Sequence, residues 1–281
     1  MVGDLAAAPA GQVAAAARCQ DLVQVYESAG GPVHALRGIS AEIPSRALTA
    51  VMGPSGAGKS TFLRLLACLE RPTVGEVFVE GRPTAHLSGR ARRHIIASRI
   101  GYVFQAPEDN LLDYLNVAEH VRMAWRMRGA EPRGAVQGLL ETTDLAALAG
   151  ARPAELSAGE QQRVAFAMAV AGHPALVIAD EPTASLDPVG ARALVEVLPA
   201  LIDDGQTLLI CTHDTAVVDA ADQVLVLRSG TLAARATGGG ELLAVVDDAG
   251  RVQLPPEAAG LFPGGEARVT TTDGQVRMDP R

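Results

Sequence analysis

GPSGAGKS at residues 53–60 fits the pattern G-x-x-x-x-G-K-[ST], in which a glycine-rich turn ends on one lysine and one hydroxyl. The chemistry this spacing supports is phosphate binding. Glycines let backbone N–H groups close around phosphate oxygens, and a helix that starts at the end of the loop adds its partial positive charge. Lys59 then reaches the β- and γ-phosphates, and the Ser60 hydroxyl can ligate Mg²⁺. Gly53, Pro54, Ser55, Gly56, Ala57, Gly58 and Thr61 complete the candidate binding loop. Of the chain's 24 basic residues, 23 are Arg and one is this Lys. A source-genome bias against Lys explains the imbalance, yet the one Lys retained sits where a compact ammonium fits and a planar guanidinium fork is too large.

A phosphate loop of this kind needs a carboxylate for its metal. ALVIADEP at 175–182 supplies one, because Asp180 ends an apolar run and is placed to hold Mg²⁺ through water. Glu181 follows and can polarise a water for attack on the γ-phosphate. A D-E pair is ordinarily a solvated loop; after five apolar residues and downstream of a phosphate loop, it reads as functional. LSAGEQQR at 156–163 forms a second anion site. Ser157, Ala158 and Gly159 precede a helix carrying Arg163, so their amides and the Ser157 hydroxyl lie at a helix N-terminus.

These residues need a scaffold that brings distant segments together. The apolar run 47–52 ends in Gly53, and a helical pattern follows with Phe62, Leu63, Leu65 and Leu66 before Pro72 stops it. Runs at 175–179, 207–211 and 224–227 read as buried parallel strands, the last closed by a turn at Ser229-Gly230. Residues 18–50 suit short antiparallel strands, whereas about 106–150 reads as an inserted helical subdomain. Beyond Gly238-Gly239-Gly240 the pattern becomes β-rich, with a hairpin signal at Asp273-Gly274. Strands alternating with helices predict an α/β fold with a mostly parallel sheet.

Composition narrows the class further. With 281 residues, 48% apolar and only 3% aromatic, the chain is globular with an aliphatic core. A net charge of −8 and a sequence pI near 5.3 argue against a surface that tracks a nucleic-acid backbone. Cys19, Cys68 and Cys211 have no metal-like spacing, which favours a reducing cytoplasmic setting. No apolar run approaches the ~18 residues of a membrane helix, and the Ala-rich first 17 residues lack the basic start of a secretory signal. Any membrane role is then peripheral.

LSAGEQQR resembles the signature motif of ATP-binding cassette (ABC) proteins, LSGGQ, with Ala158 for the first glycine of the pair and Glu160 for Gln. Other landmarks of that family match in order. Gln105 in IGYVFQ resembles the Q-loop residue that senses Mg²⁺ and the attacking water. Ser185-Leu186-Asp187 resembles the D-loop that crosses the dimer, His213 in CTHD the switch histidine at the γ-phosphate, and Tyr26 the aromatic that stacks on adenine. The resemblance covers about residues 18–232. It implies a P-loop NTPase core of ABC type with an antiparallel β subdomain and a helical subdomain at about 106–170. Residues 1–17 are then a flexible tail, and 233–281 a linker and small β-rich appendage.

The resemblance further implies ATP and Mg²⁺ as ligands, with catalytic Glu181, His213 and Gln105 and with Ser60, Gln105 and Asp180 as metal residues. Ser157, Ala158, Gly159, Glu160 and Asp187 would act in trans on the nucleotide of a second cassette, in a homodimer or a pair with a similar chain. Hydrolysis would drive a membrane-embedded permease from the cytoplasmic face of the membrane. VYESAGGPVHALRGIS at 25–40 and MGPSGAGKSTFLRLLACLERPTVGEV at 52–77 resemble the LolD/MacB-type branch of exporters and cell-envelope systems. NLLDYLNVAEHV at 110–121 is the region expected to face a coupling helix, and its apolar residues serve equally as ordinary subdomain core. Soluble ABC ATPases acting on DNA or the ribosome are the alternative, but they carry a long coiled coil or two cassettes per chain. A P-loop kinase would have no use for LSAGE. Arg90, Arg92, Arg93 and Arg99, and Arg122, Arg126 and Arg128, read as solvated helix faces more readily than as a nucleic-acid or lipid patch. DDAGRVQLPPE at 247–257 resembles the swapped-hairpin AbrB/SpoVT module, although acidity and shortness favour a regulatory or dimer-supporting appendage.

Overall fold

A computed structural model describes residues 15–28, 30–129, 131–237, 243–245, 267–272 and 275–280. The chain opens with β1 (Ala15–Ser28), β2 (Gly31–Pro44), β3 (Leu48–Met52), α1 (Lys59–Leu66), β4 (Val74–Val79) and β5 (Arg82–Pro83). It continues through α2 (Gly89–Arg99), β6 (Ile100–Val103), α3 (Val117–Arg128), α4 (Ala135–Thr142), α5 (Ala158–Val170) and β7 (Leu176–Asp180). It closes with α6 (Pro188–Asp203), β8 (Leu208–Cys211), α7 (Thr215–Asp219), β9 (Gln223–Arg228), β10 (Thr231–Thr237), β11 (Leu243–Ala244), β12 (Ala267–Thr272) and β13 (Gln275–Pro280).

The main sheet runs β11-β10-β9-β3-β8-β7-β6. Its five strands from β9 to β6 are parallel, and β10 and β11 add antiparallel to one edge. Burial on both faces explains the unbroken apolar runs. In β7, Leu176 and Ile178 face a core shared with Phe62, Leu63 and Leu66 of α1, while Val177 and Ala179 face Phe166 of α5 and Leu194 and Leu198 of α6. A second, antiparallel sheet, β2-β1-β4-β5, covers the far side of α1 with Leu22, Leu36, Ile39 and Ile43. A third core, Val117, Val121, Val136, Leu140, Val164 and Ala167, joins α3, α4 and α5 as the helical subdomain.

Several boundaries shift. The antiparallel strands are two 14-residue strands, not short ones, and β1 pairs with β2 along one edge and with β4 along the other, with register irregularities in both. β1 begins at Ala15 with Ala16 and Ala17 buried, so the ordered core starts before residue 18. At the other end β10 crosses position 232, because the Ser229-Gly230 turn feeds an antiparallel strand that extends the main sheet. β12 and β13 pair as the sequence predicts, although Asp273-Gly274, like residues 247–257 and Gly238-Gly239-Gly240, lies outside the described residues.

Arg128 departs from the solvated reading of its helix. Arg122 and Arg126 reach Glu131, but the Arg128 guanidinium turns inward and donates to Met168 O (2.8 Å), Ala171 O (2.5 Å) and Ile100 O (3.1 Å). It thereby caps the C-terminal end of α5, the pole that favours a cation. Burial pushes its pKa down to about 10, which leaves it charged at neutral pH. Arg128→Met keeps the apolar stem and strands those carbonyls. We expect it to lower unfolding stability by on the order of 2–3 kcal/mol, read by urea denaturation, with an unchanged midpoint contradicting the clamp.

Candidate active site

Parallel strands end at the same edge of a sheet, and their C-terminal ends are where such folds bind ligands. β3 ends at the phosphate loop, β6 just before Gln105, β7 at Asp180 and β8 just before His213. Register fixes the alignment, since Cys211 of β8 pairs with Asp180 on one side and with Val51 on the other. The result is an open cleft of about 680 Å³. Tyr26, residues 55–61, Gln105, Asp180, Glu181 and His213 all line it.

The loop's conformation depends on Gly58. It holds φ +96 at the N-cap of α1, and a Cβ there would lie 2.6 Å from Ala35 O. Gly53 and Pro54 do not line the cleft. Their carbonyls accept from Lys59 Nζ at 2.7 and 3.3 Å. The same ammonium lies 3.9 Å from Glu181 Oε1 and 3.2 Å from His213 Nε2, and Lys59 is only 9% exposed. His213 Nε2 is also 3.2 Å from Glu181 Oε1. In one tautomer it accepts from Lys59 and in the other it donates to Glu181.

Glu181 is held with effort. Its φ of +48 is left-handed, and its N–H donates to Cys211 O at 2.8 Å. Non-glycine residues in that region cost roughly 1–3 kcal/mol and cluster at functional sites. Asp180 carries a buried Oδ1 that no group among the described residues satisfies. Among those residues no cluster of three His, Cys, Asp or Glu could hold a metal by itself. Ser60, Gln105 and Asp180 line the same cleft, and their oxygen donors fit Mg²⁺, which takes few protein ligands and completes its shell with water and substrate phosphate.

Ser157, Ala158, Gly159, Glu160 and Asp187 lie elsewhere. They line a second cleft of about 460 Å³ with Arg163 and Ser185, and the two clefts share no lining residue. Ser157 is the N-cap of α5 and Asp187 the N-cap of α6. The two helix starts meet through glycines, since a Cβ on Gly159 would lie 2.9 Å from Gly190 Cα.

Sequence reasoning missed Val33, His34 and Ala35, which line the first cleft from β2. The signal was available in the Gly30-Gly31 turn, which sets Val33 opposite Tyr26 across the hairpin. It also missed the Cys211 thiol, 3.7 Å from Glu181 Oε1, whose pKa burial pushes far above the ordinary thiol range.

The chain matches the family described as ABC transporter over residues 36–184, more than half its length. It belongs to the ABC transporter family. This ATP-binding protein is similar to the lipoprotein-releasing system ATP-binding protein LolD 2 of Caulobacter vibrioides, 37% identical over 75% of this chain and 93% of that one. It is 39% identical to the methionine import ATP-binding protein MetN of Thermobifida fusca, over 75% and 67% of the two chains. Its fold is similar to the dimeric post-hydrolysis structure of the ATP-binding cassette MJ0796 bound to ADP and Pi, with TM-score 0.71 and 30% identity, covering 80% of this chain and 100% of that one. The activity is ATP binding and hydrolysis coupled to transport, which sets aside a soluble cassette acting on DNA or the ribosome.

Because Lys59 Nζ is packed between two loop carbonyls, His213 and Glu181, a guanidinium has no room in its place. Lys59→Arg should weaken ATP binding by about tenfold or more in a calorimetric titration, and wild-type affinity would contradict the packing.

Proposed function

We propose that the first cleft binds and cleaves ATP and that the second closes over the nucleotide of another cassette. Lys59 and the amides of residues 55–61 hold the β- and γ-phosphates. Ser60, Gln105 and Asp180 would hold Mg²⁺, which when bound neutralises charge on the phosphate oxygens. Glu181 takes the proton of the attacking water, and His213 holds the γ-phosphate once Lys59 turns toward substrate. Tyr26, whose hydroxyl donates to Glu70, supplies a ring for adenine. One observation carries this reading: four strand ends deliver Lys59, Gln105, Asp180, Glu181 and His213 to one cleft.

The separation of the two clefts supports action in trans, in a homodimer or with a similar chain. Ser157, Ala158, Gly159, Glu160 and Asp187 of one protomer would then face the phosphates held by its partner. α3 offers a groove of about 760 Å³ lined by Tyr114, Leu115, Glu119, Arg122, Met123, Arg126 and Met127, with Tyr114 and Met127 largely exposed. An exposed aromatic and thioether rimmed by Arg122 and Arg126 suit a helix of a membrane-embedded permease. We place the chain at the cytoplasmic face of the membrane as a peripheral subunit, a reading supported by its similarity to ATP-binding subunits of transporters. We assign no nucleic-acid partner. The motifs at 25–40 and 52–77 support the LolD/MacB-type branch.

Glu181→Gln keeps the shape and removes the base. Turnover should fall by about 10²–10⁴-fold while ATP binding persists and a dimer accumulates on sedimentation. Unchanged hydrolysis would take Glu181 out of the base role.

A further inference from the structure

The two anion sites are built differently. The helix at the phosphate loop, α1, has no acidic residue in its first turn and no side chain capping it. α5 begins with Ser157 as its N-cap and Glu160 in its first turn. Ser157 Oγ accepts from the Glu160 N–H at 3.3 Å and donates to Glu160 Oε2 at 2.8 Å, while the same carboxylate oxygen accepts the Ser157 N–H at 2.7 Å. The hydroxyl proton that a γ-phosphate would use is therefore already given to a carboxylate of the same helix.

Nothing in the cleft cancels that charge outright. Hydrogen bonds from Ser157 hold the Glu160 carboxyl below the usual range, so it is ionised at neutral pH. Asp187 adds a second carboxylate, with its Oδ1 engaged by the Gly190 N–H at 2.7 Å. Arg163 lines the same cleft, but its guanidinium Nη2 lies 4.0 Å from Asp144, which shares its charge. An incoming phosphate must take the Ser157 hydroxyl from Glu160 and share the positive pole of α5 with it.

We propose that Glu160 is an internal competitor for the donors at the start of α5, and that its charge limits how tightly the ATP sandwich closes. This rests on the reading in which Ser157–Gly159 receive the partner's γ-phosphate. Capping alone does not need the charge, because Gln at this position completes the same reciprocal cap. What the nucleotide feels is the negative charge. Each copy weakens closure about two- to fivefold, and the two copies of a symmetric sandwich multiply to about four- to twenty-five-fold.

The test uses the full chain carrying Glu181→Gln, with saturating ATP and Mg²⁺, and reads the dimer dissociation constant by analytical ultracentrifugation. Adding Glu160→Gln should lower that constant about four- to twenty-five-fold even though loss of a charge that favours the α5 N-terminus lowers the melting temperature slightly, and the gain should shrink between 0.05 and 0.5 M salt, values chosen to vary the screening. A second neutral variant, Glu160→Ala, should move the constant in the same direction although it loses half the cap. If neither neutral variant tightens the dimer, the inference fails. Ser157→Ala separates that failure from a failure of the trans reading. If it weakens the ATP dimer while the Glu160 variants do not tighten it, only the competitor role is lost; if it leaves the dimer unchanged, or no ATP dimer forms, both are lost.

Discussion

An ammonium removed from most of its water must be met by oxygen or nitrogen lone pairs, and Lys59 is such a group. Its partners come from the loop it belongs to, from the end of β7 and from the residues after β8. That requirement organises the rest of the core. The loop can bend back on Lys59 because Gly58 adopts a left-handed conformation against Ala35. Glu181 can face the ammonium because its backbone is turned left-handed and tied to Cys211 O. The strands that present these groups are parallel, so their ends align, and parallel strands need cover on both faces. α1 and the antiparallel sheet supply one cover, and α5 and α6 the other.

These contacts satisfy the charge from within the protein: the Gly53 and Pro54 carbonyls accept from Lys59 Nζ, and Glu181 Oε1 lies 3.9 Å away. Under the proposed function, phosphate oxygens would offer the same ammonium further acceptors, so Lys59 and Glu181 are linked both to each other and to the nucleotide site.

Much of this was legible in the residues. The phosphate loop, Asp180-Glu181 and the start of α5 carry strong local signals: glycine spacing, an apolar run ending in carboxylates, and a capping pattern. The parallel strands were legible because burial on two faces leaves long apolar runs such as LVIA and LLIC. Arg128 was not, since nothing local distinguishes an arginine that turns into a helix terminus from Arg126, two residues earlier, which stays at the surface. The lining by Val33, His34 and Ala35 was missed because it takes two steps to reach, the Gly30-Gly31 turn and then the cross-strand pairing that sets Val33 opposite Tyr26. The limits of the core were misplaced for a related reason, as pairing partners decide whether Ala15–Ala17 or Thr231–Thr237 count as strand.

α5 ties these parts together mechanically. Its 13 residues make a rod of about 20 Å. At one end Ser157–Glu160 face the second cleft, and Gly159 is pressed against Gly190 at the start of α6. At the other end Arg128 of α3 grips Met168 O and Ala171 O and also reaches Ile100 O at the start of β6. α3 in turn carries the groove of Tyr114, Met123 and Met127. The clamp therefore joins the helix beside that groove directly to the C-terminus of α5, and a helix of under four turns runs from there to Ser157. The same clamp touches β6, whose far end leads to Gln105. One guanidinium thus ties the helix that carries the groove to the end of α5, whose other end is Ser157, and to β6, which leads to Gln105.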